Sequence, residues 1–482
     1  MKNRFITLLV LFSFLLAFQN CSDDYDDVLH YRNTNEFVWT GLNQYYYWQK
    51  DSPDLNDGKF ATDVAFQNFL SNYTPESLFQ YLRYEPGIID KYSVIFSDYD
   101  VLEAALQGTS KNSGADFGFK RKTAGSTEVF GFVRYILPNS DASAKNIQRG
   151  DLFYAVNGVP LTVGSDGYLN PTGLSDDTFT LDMADYDNGN ITPNGNTITL
   201  TKTPYSENPV LIKNTHQVGS KKVGYLMYNG FYSTYENELN NAFAYFQGEG
   251  ITHLVLDLRY NSGGSVNVAT KLASMITGQF SNQIFAKQEW NEKRMNYYNS
   301  VNPDALLNKF TNTLSNGNGI NSLSLTKIYV LTTQSTASAS ELIINSLKPY
   351  IDVIQIGDVT VGKNVGSITI YDSPTFRKEN VNPNHKYAMQ PIVLKVLNKN
   401  GVGEYSNGIL PNVTFTENYG SLGVLGDNTE PLLNLALSYI NTNGKINTSL
   451  NAKVFEHVTD SKNLDGIEKG MYLENPKNIG RE

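Results

Sequence analysis

The stretch Leu254-Val255-Leu256-Asp257-Leu258-Arg259-Tyr260-Asn261-Ser262-Gly263-Gly264-Ser265-Val266 decides the fold. Leu254 to Leu258 is an apolar run of buried-strand length, and a glycine pair then breaks the chain. From Ser265 to Ile276 the period turns helical, with Val266, Ala269, Leu272, Ala273 and Ile276 on one face. Upstream, Val223 to Tyr228 reads as a strand, and Glu238 to Phe246 as an amphipathic helix carrying Leu239, Ala242, Phe243 and Phe246 inward. Downstream, strands are predicted at Ile328 to Leu331, Val353 to Ile356, Ser367 to Ile370 and Ile392 to Val396, with a last helix from Glu430 to Ile440. Alternation of this kind gives an α/β fold with crossover units on a largely parallel sheet. Beyond Asn441 the chain is polar and no element is assigned.

Further towards the N-terminus the pattern differs. From Val28 to Leu106 apolar residues recur at helical spacing: Phe37, Leu42, Tyr45, Tyr46 and Trp48, then Ala65, Phe66, Phe69 and Leu70. This predicts a small helical domain. The Tyr45–Trp48 aromatics suit a sugar platform or, as aromatics at this spacing more often do, a core. Between Thr109 and Pro204 short strands alternate with turns, and Asn157-Gly158 is a hairpin signal. Gly114-Ala115-Asp116-Phe117-Gly118-Phe119, Val133 to Ser140, Arg149-Gly150-Asp151-Leu152 and Val156-Asn157-Gly158 together resemble a PDZ domain. Such a domain takes a peptide as an added strand and holds its terminal carboxylate on a glycine-containing loop. The resemblance puts that loop at Asp116, Phe117, Gly118 and Phe119.

Lys2 and Arg4 precede an apolar run from Ile6 to Phe18, and Cys21, the sole cysteine, follows it. The run is short for a membrane span and reads as a signal peptide over residues 1–20. Cys21 is then either the acceptor of a lipid anchor or a chance residue in a cleaved leader; both readings export the protein. Ser22-Asp23-Asp24-Tyr25-Asp26-Asp27 resembles the acidic tether of surface-displayed lipoproteins of the Bacteroidetes group. An outer-membrane-anchored lipoprotein, on the periplasmic or the surface side, is the expectation. The chain has 482 residues and a net charge of −10, with no lysine- or arginine-rich run, so nucleic acid is not an expected partner.

Two short segments carry chemistry. Ser335-Thr336-Ala337-Ser338-Ala339-Ser340-Glu341 opens a helix read from Ala337 to Lys348, placing Ser338 where unpaired backbone amides and the positive helix end converge. The amide of Ala339 suits an oxyanion, and a second donor is available from Gly263-Gly264. Ser338-x-x-Glu341 is equally a capping box. Lys363, between Val361-Gly362 and Val365-Gly366, has an apolar setting in which burial disfavours the ammonium, so its amine suits a general base. A surface turn lysine is the alternative. The five histidines form no metal-spaced pair, and zinc, phosphate-loop and dinucleotide motifs are missing, so no metal or nucleotide cofactor is expected.

Asp257 to Gly264, Ser335 to Glu341 and Gly362-Lys363, downstream of the PDZ-like segment, resemble the C-terminal processing (tail-specific) serine peptidases. The resemblance implies a ClpP/crotonase-like core, with Ser338 as nucleophile, Lys363 as base, and Gly263, Gly264 and Ala339 around the oxyanion. Where many relatives have a glutamine four residues after the lysine, this chain has Ser367, a candidate to orient the amine. The implied division is residues 21–108 tether and helical domain, 109–204 PDZ-like domain, 205–445 peptidase core and 446–482 a tail without assigned structure. Protein or peptide substrates, and a membrane through Cys21, are the implied partners. A peptidase scaffold that binds peptide without cleaving it is the competing expectation.

Overall fold

The computed structural model describes residues 32–165, 167–170, 173–445, 453–464 and 470–474. The predicted signal peptide and Cys21 lie outside the described residues, within which no helix is long and apolar enough to cross a membrane.

The centre is a six-stranded sheet in the order Val210–Val218, Lys221–Tyr228, His253–Asp257, Lys327–Thr332, Asp352–Gly357, Val413–Thr414. The first pair is antiparallel and the rest are parallel. Side chains of a strand alternate between faces, and two different clusters claim them. Leu226, Leu254, Leu256, Ile328 and Val330 pack with Phe243, Leu272, Ile276, Leu342 and Ile343 of the helices Glu236–Glu249, Val266–Thr277 and Ala339–Leu347. Val223, Tyr225, Val255, Tyr329 and Leu331 face the helix Pro431–Asn441 through Leu432, Leu433, Ala436 and Leu437.

Not every strand joins this sheet. Leu307–Lys309, Ile284–Trp290, Ile392–Asn398 and Val365–Ser367 form a separate antiparallel sheet, and Ile370–Tyr371 pairs with Ala388–Gln390. The stretch read as one strand from Ser367 to Ile370 is therefore two strands in two sheets. Ile368 and Thr369 lie between the two strands.

Before the core, helices Thr34–Tyr45, Asp63–Leu70, Pro75–Leu82 and Tyr99–Leu106 precede an antiparallel sheet. Tyr45 and Tyr46 are buried in the main core, so the aromatic run is packing rather than platform. The sheet runs Ala115–Arg121, Val129–Ile136, Leu152–Val156, Thr178–Asp187, Asn190–Thr201, and Asn157 (φ 52°) with Gly158 (φ 75°) makes the tight turn from Leu152–Val156 into the short strand Val159–Pro160. On its outer edge lies a strand from the far end of the chain, His457–Asp460. The tail to which no element was assigned thus supplies a strand.

Candidate active site

Three neighbouring parallel strands end on the same edge of the sheet, where open α/β sheets place their ligand sites. His253–Asp257 leads into the Gly263-Gly264 loop, Lys327–Thr332 into Ser338, and Asp352–Gly357 into Lys363. The predicted residues meet because their strands are neighbours.

Ser338 is fully buried and precedes the helix Ala339–Leu347 with φ 63° and ψ −115°. An ordinary N-cap residue is extended. In this left-handed conformation only half of the capping box is made: the Ser338 N–H donates to Glu341 Oε2 at 2.7 Å, while Ser338 Oγ has no hydrogen-bond partner among the described residues. The hydroxyl is thereby kept off the helix end. Beside it Gly263 is obligatory: its φ is 114°, and a Cβ there would lie 2.6 Å from Ser338 Cβ and 3.1 Å from Ala339 N.

Glu341 holds the centre together. Its buried carboxylate accepts from Ser338 N–H and from Lys363 N–H (2.8 Å) on one oxygen, and from Thr360 Oγ1 (2.5 Å) and Gly362 N–H (2.6 Å) on the other. Burial pushes the carboxyl above its usual range, while these four hydrogen bonds oppose the shift. The backbones of serine and lysine therefore converge on a single oxygen atom. Asn261 does the same for the glycine loop: it receives the Gly263 N–H on Oδ1 (2.8 Å), donates to Tyr228 O (2.8 Å), and its carbonyl accepts from Ala337 N–H (3.1 Å) and Ser340 Oγ (3.1 Å).

Several expectations are corrected. Lys363 is buried but makes no hydrogen bond to Ser338 Oγ; its Nζ sits 4.0 Å from the centre of the Tyr92 ring, on the wall of a cavity of about 610 Å³ shared with Ser262, Ala337 and Gly470. Gly263, expected among the oxyanion donors, has its N–H engaged by Asn261. Ser367, the candidate to orient the amine, donates its hydroxyl to Met471 O (3.4 Å). Asp116, Phe117, Gly118 and Phe119 form strand rather than loop, because Phe117 and Phe119 alternate into the core of their sheet. Asp116 pairs with the buried Arg134, which also reaches Ser335 Oγ (3.0 Å) and Asp460 (3.3 Å).

Sequence reasoning missed Glu341 as a hub, since the capping pattern already explained it. It also missed what Arg259 does. That fully buried guanidinium pairs with Asp257 (2.8 Å) and, through two nitrogens, with Glu430 (2.7 and 2.9 Å), the N-cap of the last core helix. These carboxylates hold its pKa well above the usual value against the opposing pull of burial.

Residues 222–413 match the family described as Peptidase family S41, and residues 33–94 match the Peptidase S41 N-terminal domain. Over 218 residues the chain is 28% identical to a Staphylococcus epidermidis protein named "Probable CtpA-like serine protease", covering 45% of this chain and 38% of that one. Over 231 residues it is 25% identical to a Picosynechococcus carboxyl-terminal-processing protease, covering 48% and 50%. The chain thus spans half or less of the length of these relatives. A Bacteroides fragilis structure assigned to the S41 proteases is similar over 85% of this chain and 98% of that one, at 26% identity and a TM-score of 0.62. The chain is a mixed α/β protein in which one segment matches the peptidase S41 family and an earlier one matches the S41 N-terminal domain.

Proposed function

We propose that this chain is a serine endopeptidase that hydrolyses peptide bonds of exported proteins with Ser338 as nucleophile and Lys363 as general base. The observation that carries the reading is Glu341, one buried carboxylate bonded to the backbone N–H of both residues, beside a hydroxyl with no hydrogen bond among the described residues. A helix cap alone does not tie down the separate loop that carries the lysine. In the reaction the neutral Lys363 amine takes the Ser338 proton as Oγ attacks the substrate carbonyl. The oxyanion that forms meets the N–H of Ala339, which as the first helical residue has no partner within the helix, and the N–H of Gly264. The lysine then passes its proton to the leaving amine as the C–N bond breaks, and water hydrolyses the acyl-enzyme with the same base. The sheet from Ala115 to Thr201 is read as PDZ-like, engaging substrate tails as an added strand. Export and a lipid anchor on Cys21 complete the proposal, with the outer membrane as its location.

The test is cleavage of an unstructured polypeptide by the purified chain and by Ser338→Ala. Cleavage by the first and its loss in the second is expected. Equal cleavage by both removes Ser338 from the reaction. No cleavage by either favours the scaffold that only binds peptide, a reading to which the unmade bond between hydroxyl and amine belongs.

A further inference from the structure

The tail visits both places where a substrate peptide would lie. His457–Asp460 adds to the edge of Ala115–Arg121 in antiparallel register, His457 opposite Lys120 and Asp460 opposite Gly118. Arg121 N–H donates to Glu456 O (2.9 Å), and Phe117 N–H to Ser461 Oγ (2.9 Å). Further on, Met471 to Leu473 runs extended between the glycine loop and the strand after the lysine. Ser367 N–H donates to Met471 O (3.0 Å) and Leu473 N–H to Ser367 O (3.0 Å) on one side; Tyr472 N–H donates to Gly264 O (3.2 Å) and Val266 N–H to Tyr472 O (3.0 Å) on the other. Apart from the Ser461 hydroxyl, these are backbone contacts, which any extended peptide reproduces. Gly470 meanwhile abuts Lys363 Nζ, where even a Cβ would collide with the amine.

We propose that the tail, through residues 453–464 and 470–474, is a tethered peptide ligand that fills the chain's own substrate path and keeps Lys363 away from Ser338 until an extended polypeptide displaces it. The inference rests on the peptidase reading above. Two independent features support it. The tail engages both segments in order, the added-strand edge first and the catalytic cleft second, and the cleft it fills is the one in which the expected bond between hydroxyl and amine is unmade. A tether supplies its ligand at roughly millimolar effective concentration, so modest intrinsic affinity suffices for occupancy.

The experiment uses the full chain with a site-specific protease sequence inserted after Lys445 and cut after folding. In a Ser338→Ala background, a fluorescent peptide of residues 453–474 is expected to bind the cut chain by anisotropy and not the uncut one. With Ser338 intact, cutting is expected to raise kcat/KM for an unstructured polypeptide by about tenfold or more, and added peptide to reverse the gain. Peptide binding without hydrolysis by any form supports the tethered ligand and defeats the peptidase reading. Equal binding by cut and uncut chains, no binding by either, or loss of the folded circular dichroism signal when the cut tail is removed would overturn the proposal, the last by making the tail a structural strand only.

Discussion

Ser338 pays for its position in backbone strain. A serine at φ 63° and ψ −115° stands where glycine is at ease, at a cost of about 1–3 kcal/mol. Ser338→Gly is therefore expected to stabilise the fold by about 1 kcal/mol, after the larger unfolded-state entropy of glycine is subtracted, while abolishing hydrolysis. Urea denaturation beside a cleavage assay checks both. Glu341→Gln moves the other way. A glutamine offers one accepting oxygen, so two of the four donors at this position would face an amide NH2. A loss of about 2–4 kcal/mol is expected, together with activity, because serine and lysine are no longer held to one atom. Much of this site was legible beforehand. Serine at a helix start, a glycine pair after a buried strand and a glycine-flanked lysine are combinations with a stated chemical use. Glu341 was not legible, because its spacing from Ser338 has an adequate local explanation and its bonds to Thr360, Gly362 and Lys363 come from a loop, between the strands Asp352–Gly357 and Val365–Ser367, that only folding brings near.

At the scale of elements, the alternating strands and helices from Val223 to Ile276 could be read because burial on a parallel sheet imposes its periods directly on the sequence. The strand Ile284–Trp290 could not: Ala286, Lys287, Gln288 and Glu289 break its apolar run with good helix formers, and pairing to Ile392–Asn398 overrides them. The tail was unreadable for a related reason, since a strand added to an edge needs little side-chain signal. Its docking carries a pH dependence that can be measured. His457 lies opposite Lys120, and burial, then the Lys120 charge, and to a smaller extent Arg134, lower its pKa to about 4 against a raising effect of Asp460. Lys120 is itself lowered to about 8, chiefly by burial. A released His457 takes up its proton near pH 6.5 and a docked one does not until about pH 4, so docking is expected to weaken as pH falls between these values. Hydrogen exchange across residues 453–464 should accelerate over that window; exchange independent of pH, after correction for the intrinsic rate, would remove His457 from the docking equilibrium.

For the whole molecule, the buried charges between sheet and helix are the main point of fragility. Arg259 joins Asp257 at the end of a core strand to Glu430 at the start of the last core helix, and Arg149 brings the neighbouring sheet to the same cluster through Glu417 (3.2 Å). Arg259→Met leaves two carboxylates buried without their partner and is expected to cost about 3–5 kcal/mol, read as a lower urea midpoint. The same cluster fixes the loop that begins at Leu258, so activity should fall with stability in this variant. The central claim is that Ser338 and Lys363 act as one unit on a peptide bond. Its most direct measurement is kcat/KM for an unstructured polypeptide with Ser338→Ala, Lys363→Ala and the double variant, each as the cut chain. Residues acting together do not lose activity additively, so each single change should cost about 10⁴-fold or more and the double no more than either. Losses that multiply, or cleavage that survives either single change, would contradict the account.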